Sequence, residues 1–268
     1  MERARPFGEQ LRDWRQRRHL SQLDLASQVD ISTRHLSFVE TGRSQPSRAM
    51  VLRLAEELNV PLRERNALLI AAGYAPMYAT RPLSDPTMSA ARAAVDLILS
   101  GHEPSPASLV DRHWTLVASN RAVAPMIVGI DPALLAPPVN VLRLTLHPKG
   151  LAPRIENLDQ WRAHILARVA RDLELTADAT LAELLNELRS YSPNGHSPAI
   201  DKADAHFAGV VVPLKLRTEA GVLSMFSTTT VFGTAVEVTL SELVLEAFYP
   251  ADEHTAQALR GLAASARA

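Results

Sequence analysis

The first quarter of the chain carries apolar residues at the three- and four-residue spacing of amphipathic helices. Ser21, Ser32 and Ser47 stand before three of these runs as N-caps, and Asp24 occupies the acidic position of a capping box. Gly42 is expected to end the third helix. The pattern predicts four short helices whose inward-facing residues are Phe7, Leu11 and Trp14; Leu23, Leu25 and Ala26; Leu36 and Val39; and Val51, Leu54, Ala55 and Leu58. A fifth helix is predicted from Leu62 to Ala71.

The pattern changes after a proline-rich stretch, Pro76 to Pro86, which is expected to be a linker. Beyond it, period-two alternation appears in several segments, and Glu219-Ala-Gly221 fits a hairpin turn. The predicted helices are Met88–Leu99, Asn120–Ile127 and Asn157–Leu173; GHEPSPAS is a predicted loop; the predicted strands lie in Trp114–Ser119, Val210–Arg217, AGVLSMFSTTTVF and VTLSELVLEAFY. Helices and strands mixed in this way predict an α+β domain with an antiparallel sheet, from about residue 85 to 250.

Composition places the chain among ordinary globular proteins, with 268 residues, 47% hydrophobic and 21% charged. This length suits two domains. Cysteine is absent, which excludes disulfides, thiolate metal sites and a cysteine nucleophile. The chain lacks both an apolar run of about 18 residues and the apolar core of a signal peptide. We therefore expect a cytoplasmic protein without membrane insertion.

Charge is distributed unevenly along the chain. Residues 1–80 hold twelve arginines against nine acidic residues, whereas the remainder holds sixteen basic against twenty acidic residues. This asymmetry points weakly to an anionic partner for the N-terminal part.

The third predicted helix begins with hydrogen-bonding side chains of several kinds. Two short helices joined by a tight turn, the second led by mixed polar residues, are typical of a helix-turn-helix, whose second helix enters the major groove of DNA. Such side chains can match the donors, acceptors and methyl groups that the groove presents, and Gln22 or Arg15 could contact phosphates. The candidate DNA-binding residues are Ser21, Gln22, Ser32, Thr33, Arg34, His35, Ser37, Arg43 and Arg15.

The segment SQLDLASQVDISTRHLSFVETGRSQPS resembles the XRE, or Cro/CI-like, helix-turn-helix family. The matching positions are Ser21, Gln22, Leu25, Ala26, Ser32, Leu36, Ser37, Glu40, Gly42, Pro46 and Ser47. Asp30 stands where many family members have glycine, and Asp tolerates that backbone conformation. The resemblance implies an all-α, five-helix, lambda-repressor-like domain over residues 1–78 that binds double-stranded operator DNA, with Glu40 in a structural role.

The resemblance continues over residues 5–255, where several segments are similar to the MmyB-like regulators. ETGRSQPSRAMVLRLAEELNV, VDRHWTLVASNRA and VEVTLSELVLEAFYPAD are among them. It implies a linker at residues 79–87 and, over residues 88–268, a ligand-binding α+β domain of PAS-like fold. In that family the domain is thought to take small apolar ligands such as fatty acids.

The sequence contains no motif typical of an enzyme or of a metal site. Nucleophile-elbow, P-loop, dinucleotide-binding and H-E-x-x-H patterns are absent, and the nine histidines include no i, i+4 pair. We therefore predict no catalytic residues, no metal and no cofactor apart from a bound fatty-acid-like ligand.

Candidate residues for that ligand are aromatic, aliphatic and basic. Trp114 and Trp161 fit either ordinary core or a cavity wall, and Arg143, His147, Arg154 or Arg162 could each pair with a carboxylate or simply be a surface charge. The candidate ligand-binding residues are Trp114, Leu116, Arg143, Trp161, Ile165, Phe226, Thr228 and Leu245. The sheet is expected to form one wall of the cavity with Val210, Val212, Leu214, Leu216, Phe226, Leu243 and Leu245.

These features predict a ligand-responsive transcription regulator that binds its operator as a homodimer, because one helix-turn-helix contacts too few base pairs for specificity. The alternative is a PAS-type sensor or scaffold that acts through protein contacts, with the N-terminal helices as a docking module.

Overall fold

The computed structural model of the protein describes residues 5–191, 212–233 and 237–265. Val210, expected in the sheet wall, lies outside these ranges. One compact unit contains the chain up to Pro82, and a second contains most of the chain from Leu83 onward. The predicted fold class is confirmed, with a helical N-terminal region followed by an α+β domain.

The N-terminal region consists of the five predicted helices. They are α1 (Phe7–Arg17), α2 (Gln22–Gln28), α3 (Thr33–Glu40), α4 (Arg48–Glu57) and α5 (Leu62–Ala71). The predicted caps are confirmed, since the Ser32 and Ser47 side chains accept from backbone N–H groups and Ser21 forms a capping box with Asp24. Gly42 follows α3 with a positive φ of 73°, which glycine adopts without strain.

The core of this region matches the predicted inward faces with one exception. Leu23 is 65% exposed, so its predicted burial is wrong. Leu23 lies two residues before the fully buried Leu25, a rotation of about 200° on a helix, and so points away from the core. Gly8 lies where α1 approaches α3 closely, because a Cβ there would collide with the backbone carbonyls of Val39 and Glu40.

From Leu83 onward the described chain alternates helices with strands. The helices are α6 (Ser89–Gly101), α7 (Pro132–Leu135), α8 (Val141–Leu146), α9 (Leu158–Thr176), α10 (Ala179–Ser190), α11 (Val238–Ser241) and α12 (Glu253–Ser265), with 3-10 turns at Pro86–Met88, Arg121–Ile127 and Ala152–Arg154. The strands are β1 (Ala107–Val110), β2 (Leu116–Ser119), β3 (Leu214–Thr218), β4 (Gly221–Val231) and β5 (Val244–Pro250). In the described residues no helix is long and apolar enough to span a membrane.

The five described strands form one antiparallel sheet in the order β2-β1-β5-β4-β3. The predicted hairpin is confirmed, with Thr218 paired to Gly221 and Gly221 at a φ of 100°. The loop predicted for GHEPSPAS is partly wrong, because Ala107 and Ser108 already belong to β1. Pairing with both β2 and β5 makes this short segment a central strand.

Helix α9 packs its apolar face toward the sheet and forms much of the second core. The predicted inward residues Trp161, Ile165 and Val169 are all buried. Leu216 and Leu223, from β3 and β4, belong to the same buried cluster. Helices α10 and α12 were not predicted, yet Leu188 and Leu259 bring both into this core.

Candidate functional site

The polar residues at the start of α3 lie at the surface or are partly exposed. Arg34 is exposed, and Thr33, His35 and Ser37 are half-buried. Ser32 begins the helix by accepting the backbone N–H of His35. The end of the helix that a major groove would receive therefore offers the predicted mixture of hydrogen-bonding groups.

Two arginines of this surface contact the ring of Phe38. The guanidinium carbons of Arg34 and Arg43 lie 5.3 and 5.9 Å from the centre of its ring. These are cation–π distances, so both cations are held near one aromatic ring. Phe38 was not among the predicted site residues, although its position four residues after Arg34 on a helix is a signal for this contact.

Glu40 holds α1, α2 and α3 together from inside. Its buried carboxylate accepts from Arg15 Nε and Nη2 at 2.6 and 3.0 Å and from Gln22 Nε2 at 2.7 Å, and Arg12 Nε lies 3.5 Å away. Burial acts to raise the pKa of Glu40, but the hydrogen bonds and the nearby guanidinium groups outweigh it and leave the pKa below its ordinary value. The structural role implied for Glu40 agrees with this geometry.

The structure does not support phosphate contact by Arg15. Its side chain is buried, two of its nitrogens bind Glu40, and its Nη1 donates to the Leu20 carbonyl. Gln22 uses one amide N–H on Glu40 and keeps a second donor. Among the predicted contacts, Arg34 and Arg43 are thus the exposed cations.

The second candidate site is a cavity of about 360 Å³ between α9 and the sheet. Its walls are mostly aliphatic and aromatic, and the volume falls within the range of small-molecule pockets. Four of the predicted ligand residues line it, namely Trp114, Leu116, Trp161 and Ile165, and so do Leu214 and Leu216 from the predicted sheet wall.

The other four predicted ligand residues do not line the cavity. Arg143 instead binds Glu187 with both Nε and Nη2 at 2.7 to 2.9 Å. Phe226 and Thr228 lie on the face of β4 opposite Met225, which does line the cavity, and Phe226 stacks on Tyr249. Leu245 likewise alternates with the cavity-lining Glu246 along β5. Val212 and Leu243 are outside the lining as well.

The other basic candidates are also occupied elsewhere. Arg154 donates to the carbonyls of Met126, Val128 and Arg217, and Arg162 donates to that of Arg189. His147 packs edge-on against Tyr191.

A polar cluster forms one part of the cavity wall. Ser108 of β1 is paired with Ser119 of β2 and with Glu246 of β5, and Glu246 is paired with Thr229 of β4. Arg168 of α9 reaches across this row, donating to Glu246 at 2.7 Å and to Thr229 at 2.6 Å. Its guanidinium carbon lies 4.4 Å from the centre of the Trp114 ring, which is a cation–π distance.

His164 lies next to this cluster and stacks on Trp161 at 5.4 Å. Burial and the neighbouring positive charge of Arg168 lower the pKa of His164, against a smaller opposing effect of Glu246. The lowered pKa favours the uncharged imidazole. The indole Nε1–H of Trp161 is buried and has no hydrogen-bond partner among the described residues.

Arg168, His164 and Glu246 were not among the predicted site residues. A signal was present for the first two, because they follow Trp161 by seven and three residues on a predicted helix and so share its face. The described residues contain no group of histidine and acidic side chains able to hold a metal ion.

Comparison with known proteins assigns both regions of the chain. A family model described as the MmyB-like transcription regulator ligand binding domain matches residues 91–262, and a helix-turn-helix domain model matches residues 6–68. The first of these models describes a domain of transcription regulators. No curated protein matches the chain closely enough to count as a relative.

Proposed function

The chain belongs to the family of MmyB-like transcription regulators, and on this premise we propose that a small apolar ligand, such as a fatty-acyl compound, controls its affinity for an operator. One observation carries the proposal. The domain matched as ligand-binding contains a largely apolar cavity, in a chain whose helix-turn-helix presents polar side chains at the start of α3.

DNA binding is proposed to use Arg34, Thr33, His35 and Ser37 at base edges, with Arg43 and Gln22 at phosphates. Two chains would bind one operator as a homodimer, because paired half-sites supply the specificity that one recognition helix lacks. The domains are proposed to comprise residues 1–78 and 88–268, joined by a linker at 79–87.

The first experiment identifies what the cavity holds. Mass spectrometry of the purified protein should detect a co-purifying acyl compound. After removal of bound lipid, medium- and long-chain acyl ligands should change the fluorescence of the tryptophans and the affinity for an operator fragment. Unchanged fluorescence and unchanged operator affinity across the series would refute the apolar-ligand proposal.

A matched pair of variants localises the response. Val169→Phe adds bulk to a fully buried residue of the cavity wall, whereas Val117→Phe adds the same bulk to an exposed residue of β2 outside it. Val169→Phe should abolish the ligand response while operator binding persists, and Val117→Phe should respond as the natural chain does. If the natural chain binds no operator fragment at all, the result would instead favour the alternative in which the N-terminal helices are a docking module.

A further inference from the structure

The charges around the cavity cancel one another. Among the described residues that line it, Arg168 is the one basic side chain apart from His164, and Glu246 is the one acidic side chain. Their ion pair is 2.7 Å long and mostly buried. Arg168 also donates to Thr229 and faces the Trp114 ring, so its positive charge is already engaged.

A free carboxylate would therefore meet an unfavourable environment. To pair with Arg168 it would have to displace Glu246 or lie beside it, and two carboxylates around one guanidinium leave an uncompensated negative charge in a buried site. The basic residues Arg143, Arg154 and Arg162 cannot replace Arg168, since none of them lines the cavity.

Uncharged hydrogen-bonding groups are, in contrast, available at this wall. The Trp161 Nε1–H is buried, and no residue in the part of the chain that the structure describes accepts from it. The Ser108 hydroxyl and the His164 imidazole line the same cavity, and neither makes a hydrogen bond within the described residues. A buried donor without a partner is costly, so a ligand acceptor that satisfies it contributes to affinity.

We propose that the cavity selects an apolar ligand with an uncharged head group containing a hydrogen-bond acceptor, such as an ester, amide, ketone or alcohol, over the corresponding free carboxylate. This inference rests on the proposed function, because it names the ligand class of the same cavity.

Four compounds with the same chain length test it: methyl dodecanoate, dodecan-1-ol, sodium dodecanoate and dodecane. Each is titrated at pH 8 into the delipidated full chain in competition with N-phenyl-1-naphthylamine, an uncharged fluorescent probe. The ester and the alcohol should bind roughly tenfold or more tightly than dodecanoate, because only the carboxylate brings a buried charge. Dodecane should bind more weakly than the ester, because it cannot accept the Trp161 N–H.

Glu246→Gln supplies a gain-of-function test. It removes the negative charge and leaves Arg168 without its ion pair, so dodecanoate affinity should rise roughly tenfold or more while ester affinity changes little. Glu187→Gln is the matched control, because it breaks the ion pair of Arg143 outside the cavity and should leave dodecanoate affinity unchanged. Circular dichroism establishes that both variants fold.

The outcomes separate this inference from the proposed function. Dodecanoate binding as tightly as the ester at pH 8, or dodecane binding as tightly as the ester, would overturn the head-group inference while leaving an apolar-ligand cavity in place. Displacement by none of the four compounds would overturn both. If Glu246→Gln does not fold, the comparison of ligands on the natural chain still decides.

Discussion

Glu40→Ala should destabilise the helix-turn-helix domain strongly. The substitution removes an acceptor whose side chain is fully buried and leaves the Arg15 guanidinium, 10% exposed, with the Leu20 carbonyl as its remaining described partner. Removing one member of a buried ion pair costs about 3–5 kcal/mol, because the remaining charge stays desolvated. A domain of this size has a total stability of about 4–12 kcal/mol, so the loss is a large fraction of it.

The double variant Arg15→Met/Glu40→Leu distinguishes a buried charge from a general packing defect. It replaces the pair by apolar side chains of similar volume, and such replacements are often close to neutral. The double variant should therefore be more stable than Glu40→Ala. The coupling between the two positions then follows from the single and double substitutions.

Urea unfolding of residues 1–78 measures both effects, with Trp14 as the tryptophan that reports on the fragment. A loss below about 1 kcal/mol for Glu40→Ala would refute the reasoning, since that is the range of an exposed pair. The same geometry predicts that Arg15→Ala weakens operator binding through stability alone. The dependence of operator affinity on salt should then stay unchanged, whereas loss of a phosphate contact would lower its slope by about one.

Further predictions concern the same domain and the linker. Arg34→Ala should cost about 1–3 kcal/mol of operator affinity and relax the base preference at one base pair, whereas Arg43→Ala should weaken binding to all DNA sequences alike. Binding to single-base variants of the operator checks both predictions. An unaltered base preference of Arg34→Ala would disprove the recognition-helix assignment. Gly8→Ala should lower the unfolding free energy, because the added Cβ collides with carbonyls at the end of α3; an unchanged thermal midpoint would contradict that contact. Since the folded-state pKa of Glu40 is lowered, its stabilisation is present above the unfolded-state pKa near 4.5 and is lost as pH falls through the folded-state value; acid unfolding of Glu40→Gln should lack this component. Limited proteolysis should cut first within residues 76–86, and early cuts within 212–233 would count against two independent domains.

Sequence patterns identified the helix-turn-helix almost completely because its determinants are local. The serine caps act within one turn, and the buried positions repeat within one helix. Arg15 was assigned to phosphate because an arginine on a helix gives no indication of its tertiary partner. Its partner Glu40 lies 25 residues away and meets it only after α1 packs on α3.

The ligand-binding domain was harder to predict because its cavity depends on pairings between distant segments. Period-two alternation separated Phe226 and Thr228 from Met225, but alternation alone does not reveal which face of β4 meets α9. The pair of Arg168 and Glu246 joins residues 78 positions apart, so no local spacing could indicate it. Trp161 and Ile165 were found because they share one helix face, which is a local property.

The geometry of the cavity also limits how a ligand could control DNA binding. A ligand at a hundred times its Kd stabilises the folded domain by about 2.7 kcal/mol, but only the part that differs between DNA-competent and DNA-incompetent states changes operator affinity. Tenfold control requires about 1.4 kcal/mol of that difference. The cavity is bounded by α9 on one side and by the sheet on the other, and Arg168 joins the two through Glu246 and Thr229. A ligand in the cavity therefore contacts both α9 and the sheet. A conformation of the domain in which α9 lies at a different distance from the sheet would change the contacts between the ligand and the cavity wall. If an acyl ligand occupies the cavity as proposed, its control of DNA binding would depend more on how it fits between α9 and the sheet than on total affinity, since a ligand that binds both states equally shifts neither.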